Sequence, residues 1–520
     1  MNNSRLKKTT YSIVVLGLYE ITLFVCNLIL PRLIIGTYGS DKNGLISSIT
    51  QFLSFASILR MGVAGATRAE LYKPLADGDI EGISSIMNAT QRYMRKIALI
   101  FIGYLLCVSI AFPFIVDSTY QWYEVLTLVL IMGVGTFSQY FFGLTYTTLL
   151  QADQRSYISN IFSIFAVLLN TGISCFLIVN NFSLHLVKIV YAIIFSITPF
   201  LMSMYVRKKY KLDKHAPINN NALKKRGDVM AHSIANIVHE NTDIVVLTIF
   251  TNMVTVSVYS VYNLVMNGIK QLVSIFTFGL EGAFGNMLAK NQDDSFHNNF
   301  NLFEFLIGSF VSVVISCTGL LILPFVGLYT KGVTDVEYII PVYAVIVVLA
   351  QAFYCIRIPY LTIVQASGMY KETRNGAFVE AFLNLSISIV LTIFFGIIGV
   401  AIGTLVANLF RTIQYAYFSY KNIIKKSIFY FWLRLAWVTL NCIMSVGICF
   451  LIKKSINFEF NNWYHWIIAG FLCASISILI WLVSSLIFYF ENFKKSCSLF
   501  LRIFKKKSKK KVNADENFNS

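Results

Sequence analysis

Charged residues are scarce in this chain. Only 13% of its 520 residues are charged, against about 25% in soluble domains, and 56% are hydrophobic. Apolar stretches recur along almost the whole length, well past the roughly 250 to 300 residues at which a core in water stops growing. This composition excludes a soluble enzyme and a disordered scaffold, and it predicts a protein embedded in a bilayer.

Patterns that would hold a metal or pair cysteines are absent from the sequence. The nine cysteines are scattered, eight of them within apolar stretches, and there is no CxxC, no metal-binding Cys/His spacing and no HExxH order. The apolar stretch after the basic start at 1–8 is too long for a signal peptide, and we interpret it as a first spanning helix. We therefore expect no metal and no organic cofactor.

The basic residues lie in short runs between the apolar stretches. Lys and Arg number 43 against 25 Asp and Glu, which gives a net charge of +18. With the N-terminus placed inside and the loops assigned alternately, 32 of the 43 fall on the cytoplasmic side and five outside. This bias predicts two cytoplasmic termini, an even number of spans and contact with anionic lipid rather than nucleic acid.

Fourteen stretches are long and apolar enough to cross a bilayer, for which a helix needs about 20 residues. They lie at about 10–36, 43–68, 93–116, 122–150, 156–180, 184–206, 229–251, 253–285, 300–329, 337–366, 375–396, 398–420, 428–452 and 464–490. Stretches of this length are too long for barrel strands. The sequence therefore predicts an all-α polytopic membrane protein of fourteen transmembrane helices.

Short motifs recur along the chain at a nearly constant spacing, with offsets of 217, 211, 214 and 214 residues. The matching pairs are Gly62-x-x-Gly65-Ala66 and Gly279-x-x-Gly282-Ala283, Phe112-Pro113-Phe114 and Leu323-Pro324-Phe325, Gln151-Ala152 and Gln365-Ala366, and Asn170 and Asn384. They predict a duplication of about 214 residues with six helices in each repeat. Because six is even, the two repeats are related by an axis along the membrane normal.

This duplication predicts the domain organisation. The expected parts are an N-lobe at 1–206, a cytoplasmic linker at 207–228, a C-lobe at 229–420, two accessory helices at 421–490 and a basic cytoplasmic tail at 491–520. The two lobes are expected to face each other across a central cavity. The amphipathic pattern of Ile80, Ile83 and Ile86 also predicts a short interfacial helix within 77–91.

Ionisable residues inside the predicted spans are the candidates for function, because a charge in hydrocarbon needs water or a partner. Those near span centres are Glu20, Glu240, Asp243, Lys270, Arg357, Glu380 and Arg411, and those nearer span ends are Arg32, Arg60 and Arg434. The residues near span ends can extend their charges to the interface instead.

The seventh predicted helix carries the most polar face. His232, Asn236, His239 or Glu240, and Asp243 follow one another at helical spacing. This face predicts either a cavity wall that couples an ion, or a hydrogen-bond network that joins helices.

Two cations at depth suggest an anion site. Lys270 lies on the eighth predicted helix, and Arg357 precedes Pro359 on the tenth, where the proline can free backbone amides beside the guanidinium. The alternative for Lys270 is a structural pair with Asp243 or Glu240.

The glycines Gly62, Gly65, Gly279 and Gly282 lie near the cytoplasmic ends of the second and eighth predicted helices. Their equivalent positions suggest a paired cytoplasmic gate, and close helix packing is the alternative.

The organisation and two motifs resemble a known family. The motifs are Gly62-Val63-Ala64-Gly65-Ala66-Thr67, followed by Leu71-Tyr72-Lys73-Pro74-Leu75-Ala76-Asp77-Gly78-Asp79, and Ala152-Asp153-Gln154-Arg155-Ser156-Tyr157. Together with six plus six plus two helices, they resemble the polysaccharide flippases of the multidrug/oligosaccharidyl-lipid/polysaccharide exporter superfamily over roughly residues 10 to 420.

This resemblance implies transport of an undecaprenyl-diphosphate-linked oligosaccharide, the repeat unit of a cell-surface polysaccharide, to the outer leaflet by alternating access. We expect a multi-pass protein of the bacterial cytoplasmic membrane that is not an enzyme, acts as a monomer, contacts glycan-assembly enzymes and is driven by protons or sodium. Lys270 and Arg357 would hold the diphosphate, with Arg32 and Arg60 as further contacts along its route. The polar face of helix seven would contact sugars or couple the ion.

Two other functions remain open at this point. A cation-coupled multidrug exporter of the same fold would use Glu20, Glu240 and Asp243 as an acidic pocket. A polytopic glycan-modifying transferase would use His239 as a base, although no external loop exceeds roughly 15 residues and such enzymes commonly need a larger one.

Overall fold

A computed structural model of the protein describes residues 3–60, 62–116, 120–138, 143–213, 216–217, 241–277, 280–455 and 459–498. Across these ranges the chain is helical, with no strand. Ten of the described helices are long and apolar enough to cross a membrane, and an eleventh is a bent pair. The predicted all-α polytopic class is confirmed.

Each of the fourteen predicted spans contains a described helix, although only 241–251 of the seventh span is described. The first half contains α1 Asn3–Tyr38, α2 Ser40–Phe55 with a 3-10 turn Ala56–Arg60, α3 Val63–Asp77, α4 Ile80–Ile115, α5 Trp122–Ser138, α6 Leu144–Ala152, α7 Ser156–Val179 and α8 Leu184–Tyr210. The second half contains α9 Asn241–Phe250, α10 Met253–Thr277, α11 Leu280–Ala289, α12 Asp293–Tyr329, α13 Pro341–Ile356, α14 Ile358–Ala366, α15 Tyr370–Phe395, α16 Ile397–Ser419 with a π turn Tyr420–Ile424, α17 Phe429–Ser455 and α18 Trp463–Phe488. Another helical segment covers 490–498.

Four predicted spans correspond to two helices each instead of one. These are the second, fourth, eighth and tenth spans, which contain α2 with α3, α5 with α6, α10 with α11, and α13 with α14. The second and fourth positions of one predicted repeat therefore match the second and fourth of the other. This agreement supports the duplication at the level of helix bounds.

Backbone conformation repeats with the same period. Four helices of each predicted repeat are followed by a residue with positive φ, the left-handed conformation that ends many helices. The pairs are Gly78 and Asn291, Gln154 and Gly368, Asn181 and Gly396, and Lys211 and Lys425. Their separations, taken as differences of residue numbers, are 213, 214, 215 and 214. The helix ends therefore recur even where the side chains differ.

A side-chain contact recurs with this period as well. Ser174 Oγ donates to Asn170 Oδ1 at 3.4 Å on α7, and Ser388 Oγ donates to Asn384 Oδ1 at 3.2 Å on α15. All four side chains are buried. Asn170 and Asn384, which the sequence analysis matched, thus accept the same kind of hydrogen bond in equivalent helices.

The described chain packs as two compact units. Unit 1 comprises Met1–Gln271, Tyr329–Tyr338 and Ala377–Thr404, and unit 2 comprises Leu272–Leu328, Ile339–Gly376 and Leu405–Ser520. The units are defined by packing, whereas the predicted lobes rest on repetition, so the lobe boundaries stay a prediction.

Unit 1 buries an apolar cluster where α3, α4, α6, α7 and α8 meet. Ile83, Ile86 and Met87 of α4 lie in this cluster with Leu71 and Leu149. The predicted interfacial helix within 77–91 is wrong, because these residues are the first turns of the continuous helix α4. Asp79 caps that helix by accepting a hydrogen bond from the Gly82 amide at 2.8 Å. Ile83, Ile86 and Met87 of the amphipathic face thus contact protein, whereas Ile80 is 50% exposed.

Unit 2 is rich in aromatic contacts. Phe284 of α11 packs against Phe296 and Phe303 of α12, and Phe305 stacks on Trp437 of α17 at 5.5 Å between ring centroids. The helices α17 and α18 also contact each other. The predicted accessory helices are therefore attached to α12 through aromatic rings.

A very close helix contact occurs at Gly44 of α2 within unit 1. A Cβ atom at this position would collide with the carbonyl oxygen of Met253, the first residue of α10. Since the obstacle is backbone, no side-chain rotation can relieve the collision. Only glycine allows α2 and α10 to approach so closely.

We expect Gly44→Ala to lower the free energy of unfolding by about 1–3 kcal/mol, because the helices must move apart to admit the methyl group. Gly65→Ala is the matched control, since a Cβ there meets nothing within 4 Å among the described residues. Thermal unfolding of both variants in detergent measures the difference. Equal unfolding midpoints would show that the contact at Gly44 is unimportant.

Candidate functional site

A deeply buried carboxylate of unit 1 is Asp243 on α9. Its side chain is 7% exposed. Thr404 Oγ1 of α16 lies 3.0 Å and 2.8 Å from its two oxygens, and Tyr259 Oη of α10 donates to it at 3.1 Å. Hydroxyl donors from two other helices thus hold the carboxylate where α9, α10 and α16 meet.

Lys270 belongs to the same neighbourhood. It lies eleven residues after Tyr259, which is three helical turns along one face of α10. The half-buried Lys270 is near enough to Asp243 for their charges to interact. Asn384 of α15 donates to Thr404 Oγ1 at 3.4 Å, and buried Glu380 lies one turn before it. The cluster therefore combines the Lys270 ammonium and the Asp243 carboxylate with neutral polar groups, and its members lie on α9, α10, α15 and α16.

Of the predicted polar face on helix seven, the structure describes Asp243. His232, Asn236, His239 and Glu240 lie outside the described residues. Among the described residues, no group of three or more His, Cys, Asp and Glu side chains could hold a metal ion.

Three further candidates, Arg32, Arg60 and Glu20, belong to the first predicted repeat. Arg32 of α1 donates through Nη2 to the carbonyl oxygen of Lys331 at 2.6 Å, so it binds the segment between α12 and α13. Arg60 ends the 3-10 turn, and Glu20 lies half-buried in the middle of α1. A common site for Arg32, Arg60 and Glu20 stays a prediction.

A second polar cluster of unit 1 consists of hydroxyl groups and one carboxylate. Asp335 accepts hydrogen bonds from the amide and the hydroxyl of Ser40 at 2.7 and 2.8 Å. Tyr338 Oη lies 2.6 Å from Ser40 Oγ and 3.0 Å from Ser257 Oγ, and Asn43 Nδ2 donates to Ser257 Oγ at 2.8 Å. We name Ser40, Asn43, Ser257, Asp335 and Tyr338 the outer cluster, because the charge bias places this end of α2 outside. It joins α2 to α10.

Sequence reasoning missed the outer cluster because hydroxyl groups carry no charge and are common in apolar helices. Asp335 alone offered a signal, as an acidic residue in an external connection.

Arg357 lies in unit 2 at the junction of α13 and α14. It is 8% exposed, and its guanidinium lies 4.6 Å from the centroid of the Tyr354 ring. Its amide donates to the carbonyl of Phe353, and the Leu361 amide donates to the carbonyl of Arg357. The helical hydrogen bonds therefore continue through Arg357. Pro359 was expected to free backbone amides beside the guanidinium, but the amides of Arg357 and Leu361 are both hydrogen bonded. A diphosphate site shared with Lys270 of unit 1 stays a prediction.

The predicted gate glycines differ in their local roles. Gly62 adopts a left-handed conformation with φ of +73° just before α3. A Cβ on Gly65 or Gly282 would meet nothing within 4 Å among the described residues, so close packing does not explain these two glycines. Gly279 lies outside the described residues. The gate itself stays a prediction.

Arg411 is buried and held by hydrogen bonds within unit 2. It is 1% exposed and donates through Nη1 to the carbonyl of Thr373 at 3.0 Å and through Nη2 to Tyr415 Oη at 2.6 Å. The Gln414 side chain also accepts from it. These bonds join α16 to α15 in unit 2.

Unit 2 contains a buried charge cluster, of which the sequence analysis identified Arg434 but missed Glu304. Glu304 of α12 accepts hydrogen bonds from Tyr360 and Tyr420 and lies 3.7 Å from Arg434 Nη2 of α17. The Arg434 guanidinium also lies 4.0 Å from the ring centroid of Tyr489. The cluster borders a cavity of about 530 Å³ between α12, α17 and α18. The available signal was a single carboxylate, Glu304, within the apolar ninth span.

Comparisons with known proteins bear on this architecture. No protein-family model matches the chain, and no curated protein sequence matches it. The solved structure of the lipid II flippase MurJ in an inward closed conformation is similar with a TM-score of 0.68 and 14% identity, over 91% of this chain and 98% of that one. An inward-facing multidrug resistance MATE family transporter of the MOP superfamily has a TM-score of 0.56 and 13% identity, over 78% and 97%. A eukaryotic MATE transporter, AtDTX14, has a TM-score of 0.57 and 13% identity, over 80% and 95%.

The chain has the MOP superfamily fold. The resemblance read from the sequence motifs is thereby confirmed as a likeness of structure. Within this MOP fold, Asp243, Glu304 and Arg411 are buried charges that bind neighbouring helices of their own unit.

We expect Glu304→Ala to destabilise the MOP fold by about 3–5 kcal/mol, because it leaves Arg434 buried without its counter-charge. Replacing both Glu304 and Arg434 with Met should restore most of this loss. Thermal unfolding in detergent measures both, with exposed Glu70→Ala as control. If the single and double variants unfold at the same temperature as the wild type, the pair contributes nothing to stability.

Proposed function

We propose that the protein moves a polyprenyl-diphosphate-linked oligosaccharide across the cytoplasmic membrane of a bacterium by alternating access. The observation that carries this proposal is the extent of the likeness to the lipid II flippase. It covers 91% of the chain, whereas the MATE transporters cover 78% and 80%. The difference, about a tenth of the chain, is comparable in size to α17 with α18.

The chemistry of the cargo fits cations held at depth. A lipid-linked diphosphate carries negative charge and a hydroxyl-rich head, which hydrocarbon alone rejects. Lys270 of unit 1 and Arg357 of unit 2 would bind the phosphates, and Arg32 and Arg60 would contact them along the route. The lipid tail would stay in the bilayer, so that only the head needs a polar path.

The outer cluster supports the alternating-access part of the proposal. It joins α2 of the first predicted repeat to α10 of the second through hydroxyl groups and Asp335. Contacts between the two repeats at one end are what a transporter closed on that side requires. Separation of this end would then expose the path to the outside.

The Asp243 cluster favours a coupled ion. A carboxylate held by hydroxyl groups beside an ammonium can exchange a proton or bind sodium, and we propose Asp243 as that site. The same cluster also favours the second candidate, a cation-coupled multidrug exporter. The glycan-modifying transferase gains no support, because the proteins of similar structure are a flippase and transporters.

We expect Lys270→Ala and Arg357→Ala each to reduce transport of the lipid-linked glycan about tenfold or more, because hydrogen bonds to charged groups contribute about 1.5–3 kcal/mol. Complementation of a flippase-deficient strain at matched expression measures this. Lys371→Ala, which removes an exposed cation, is the control. Full complementation by both variants would exclude the diphosphate site and leave the exporter.

We expect Asp243→Asn to abolish stimulation by an ion gradient while it preserves exchange of substrate across vesicles, because an amide cannot take up a proton at neutral pH. The exposed control Asp294→Asn should keep the stimulation. Transport into proteoliposomes with and without imposed proton or sodium gradients measures the effect. A gradient response that survives in Asp243→Asn places coupling elsewhere.

A further inference from the structure

A polar cavity of about 850 Å³ lies in unit 1, at the end that the charge bias places in the cytoplasm. None of its lining residues belongs to the Asp243, Glu304 or outer cluster. Arg92 and Arg95 of α4 and Arg207 of α8 line it, together with Asn88 and Asp213. Three guanidinium groups and one carboxylate give the described lining a net charge of about +2.

The cavity wall is fixed by hydrogen bonds. Arg207 Nε donates to the hydroxyl of the buried Tyr146 at 2.9 Å. Asn88 Nδ2 donates to the carbonyl oxygens of Asp213 and Ala216 at 3.1 and 3.2 Å, which holds the segment after α8 against α4. Guanidinium groups placed in this way match the oxygens of a phosphate, for which their planar donor set is suited.

An apolar groove lies further along α8 from the cavity. Ile193, Ile197, Phe200 and Arg207 share one face of this helix, and Phe200 precedes Arg207 by seven residues, about 10 Å along the axis. The first three line a groove of about 530 Å³ between α5 and α8 and are each about half exposed. The two polar residues that line this groove, Ser138 and Ser196, hydrogen bond to each other at 2.8 Å.

The other side of the cavity has the same character. On α4, Leu99, Leu106 and Ile110 follow Arg92 and Arg95 on one helical face, and all three apolar side chains are 49–69% exposed. Each helix that contributes an arginine thus presents an exposed apolar face beyond it. A cationic pocket with exposed apolar surface further along the same helices matches an amphiphile and not a soluble anion.

We propose that this cavity binds the phosphate headgroup of an anionic phospholipid of the cytoplasmic leaflet, whose acyl chains lie along the α5–α8 groove and the exposed face of α4. This lipid is distinct from the transported glycan. Charge complementarity selects the headgroup, and the apolar groove selects a lipid over free phosphate. The proposal does not depend on the identity of the transported substrate.

The test uses the full-length chain in neutral detergent. It is titrated with phosphatidylglycerol, with phosphatidylcholine of the same chains and with inorganic phosphate, and bound ligand is counted by native mass spectrometry. We expect phosphatidylglycerol to bind most tightly. Each of Arg92→Gln, Arg95→Gln and Arg207→Gln should weaken it about fivefold, the effect of about 1 kcal/mol per basic residue.

The matched control removes three charges from the same helices at the same end. Lys96, Lys208 and Lys209 are exposed and do not line the cavity, so their combined change to Gln should leave phosphatidylglycerol binding within about twofold. The double variant Ile197→Ala with Phe200→Ala should weaken the lipid but not inorganic phosphate.

Several outcomes would overturn the proposal. Equal binding of phosphatidylglycerol and phosphatidylcholine by the wild-type chain would show that the cavity does not recognise the headgroup. Inorganic phosphate that competes at the same concentration as the lipid shows a soluble-anion site. Displacement of phosphatidylglycerol by stoichiometric polyprenyl diphosphate assigns the cavity to the transported lipid. Equal loss in the lysine control shows a diffuse charge effect.

Discussion

A charge in the hydrocarbon region must find a counter-charge, a set of hydrogen bonds or water, and this constraint governs where the described chain places its polar groups. Arg411 meets it with a carbonyl, an amide and a hydroxyl on α15 and α16. Glu304 meets it with two tyrosine hydroxyls and Arg434. Asp243 meets it with hydroxyl groups and the nearby Lys270. Deep charges therefore connect helices here, and a charge at depth is not by itself evidence of a binding site.

The two halves of the chain share backbone features more clearly than side chains. Positive φ values recur after equivalent helices, although Gly78 is replaced by Asn291 and Gln154 by Gly368. A helix end is fixed by the reversal of the chain at the membrane surface, whereas side chains vary as long as they suit lipid or protein. The duplication is therefore visible in the positions of the helix ends, whereas in the sequence it survives only as short motifs.

The spans could be predicted from the sequence because crossing a bilayer sets both length and apolarity, whereas the breaks within the paired helices and the early starts of α4 and α12 could not. The interfacial helix within 77–91 was mispredicted because an amphipathic face looks the same whether it meets a membrane or a protein core. The site was harder. Asp243 was a candidate by its depth and by its place on a polar helix face, but its partners Tyr259 and Thr404 come from helices up to 161 residues away and are uncharged.

At Arg357 the structure also differs from the prediction, which was a broken helix beside the guanidinium. Proline two residues later suggested a broken helix, but a proline in the first turn of α14 is compatible with helical geometry at Arg357. The outer cluster escaped altogether, since Ser40, Ser257 and Tyr338 carry no signal that distinguishes them from other hydroxyl residues.

The composition of the outer cluster has a thermodynamic consequence. Hydroxyl groups that part from one another at a membrane surface are rehydrated at once, so their hydrogen bonds are exchanged and not lost. Asp335 likewise accepts hydrogen bonds from water in place of those from Ser40. Joined and separated arrangements of α2 and α10 should then differ little in enthalpy, and a modest preference of a bound solute for one of them would be enough to change their populations.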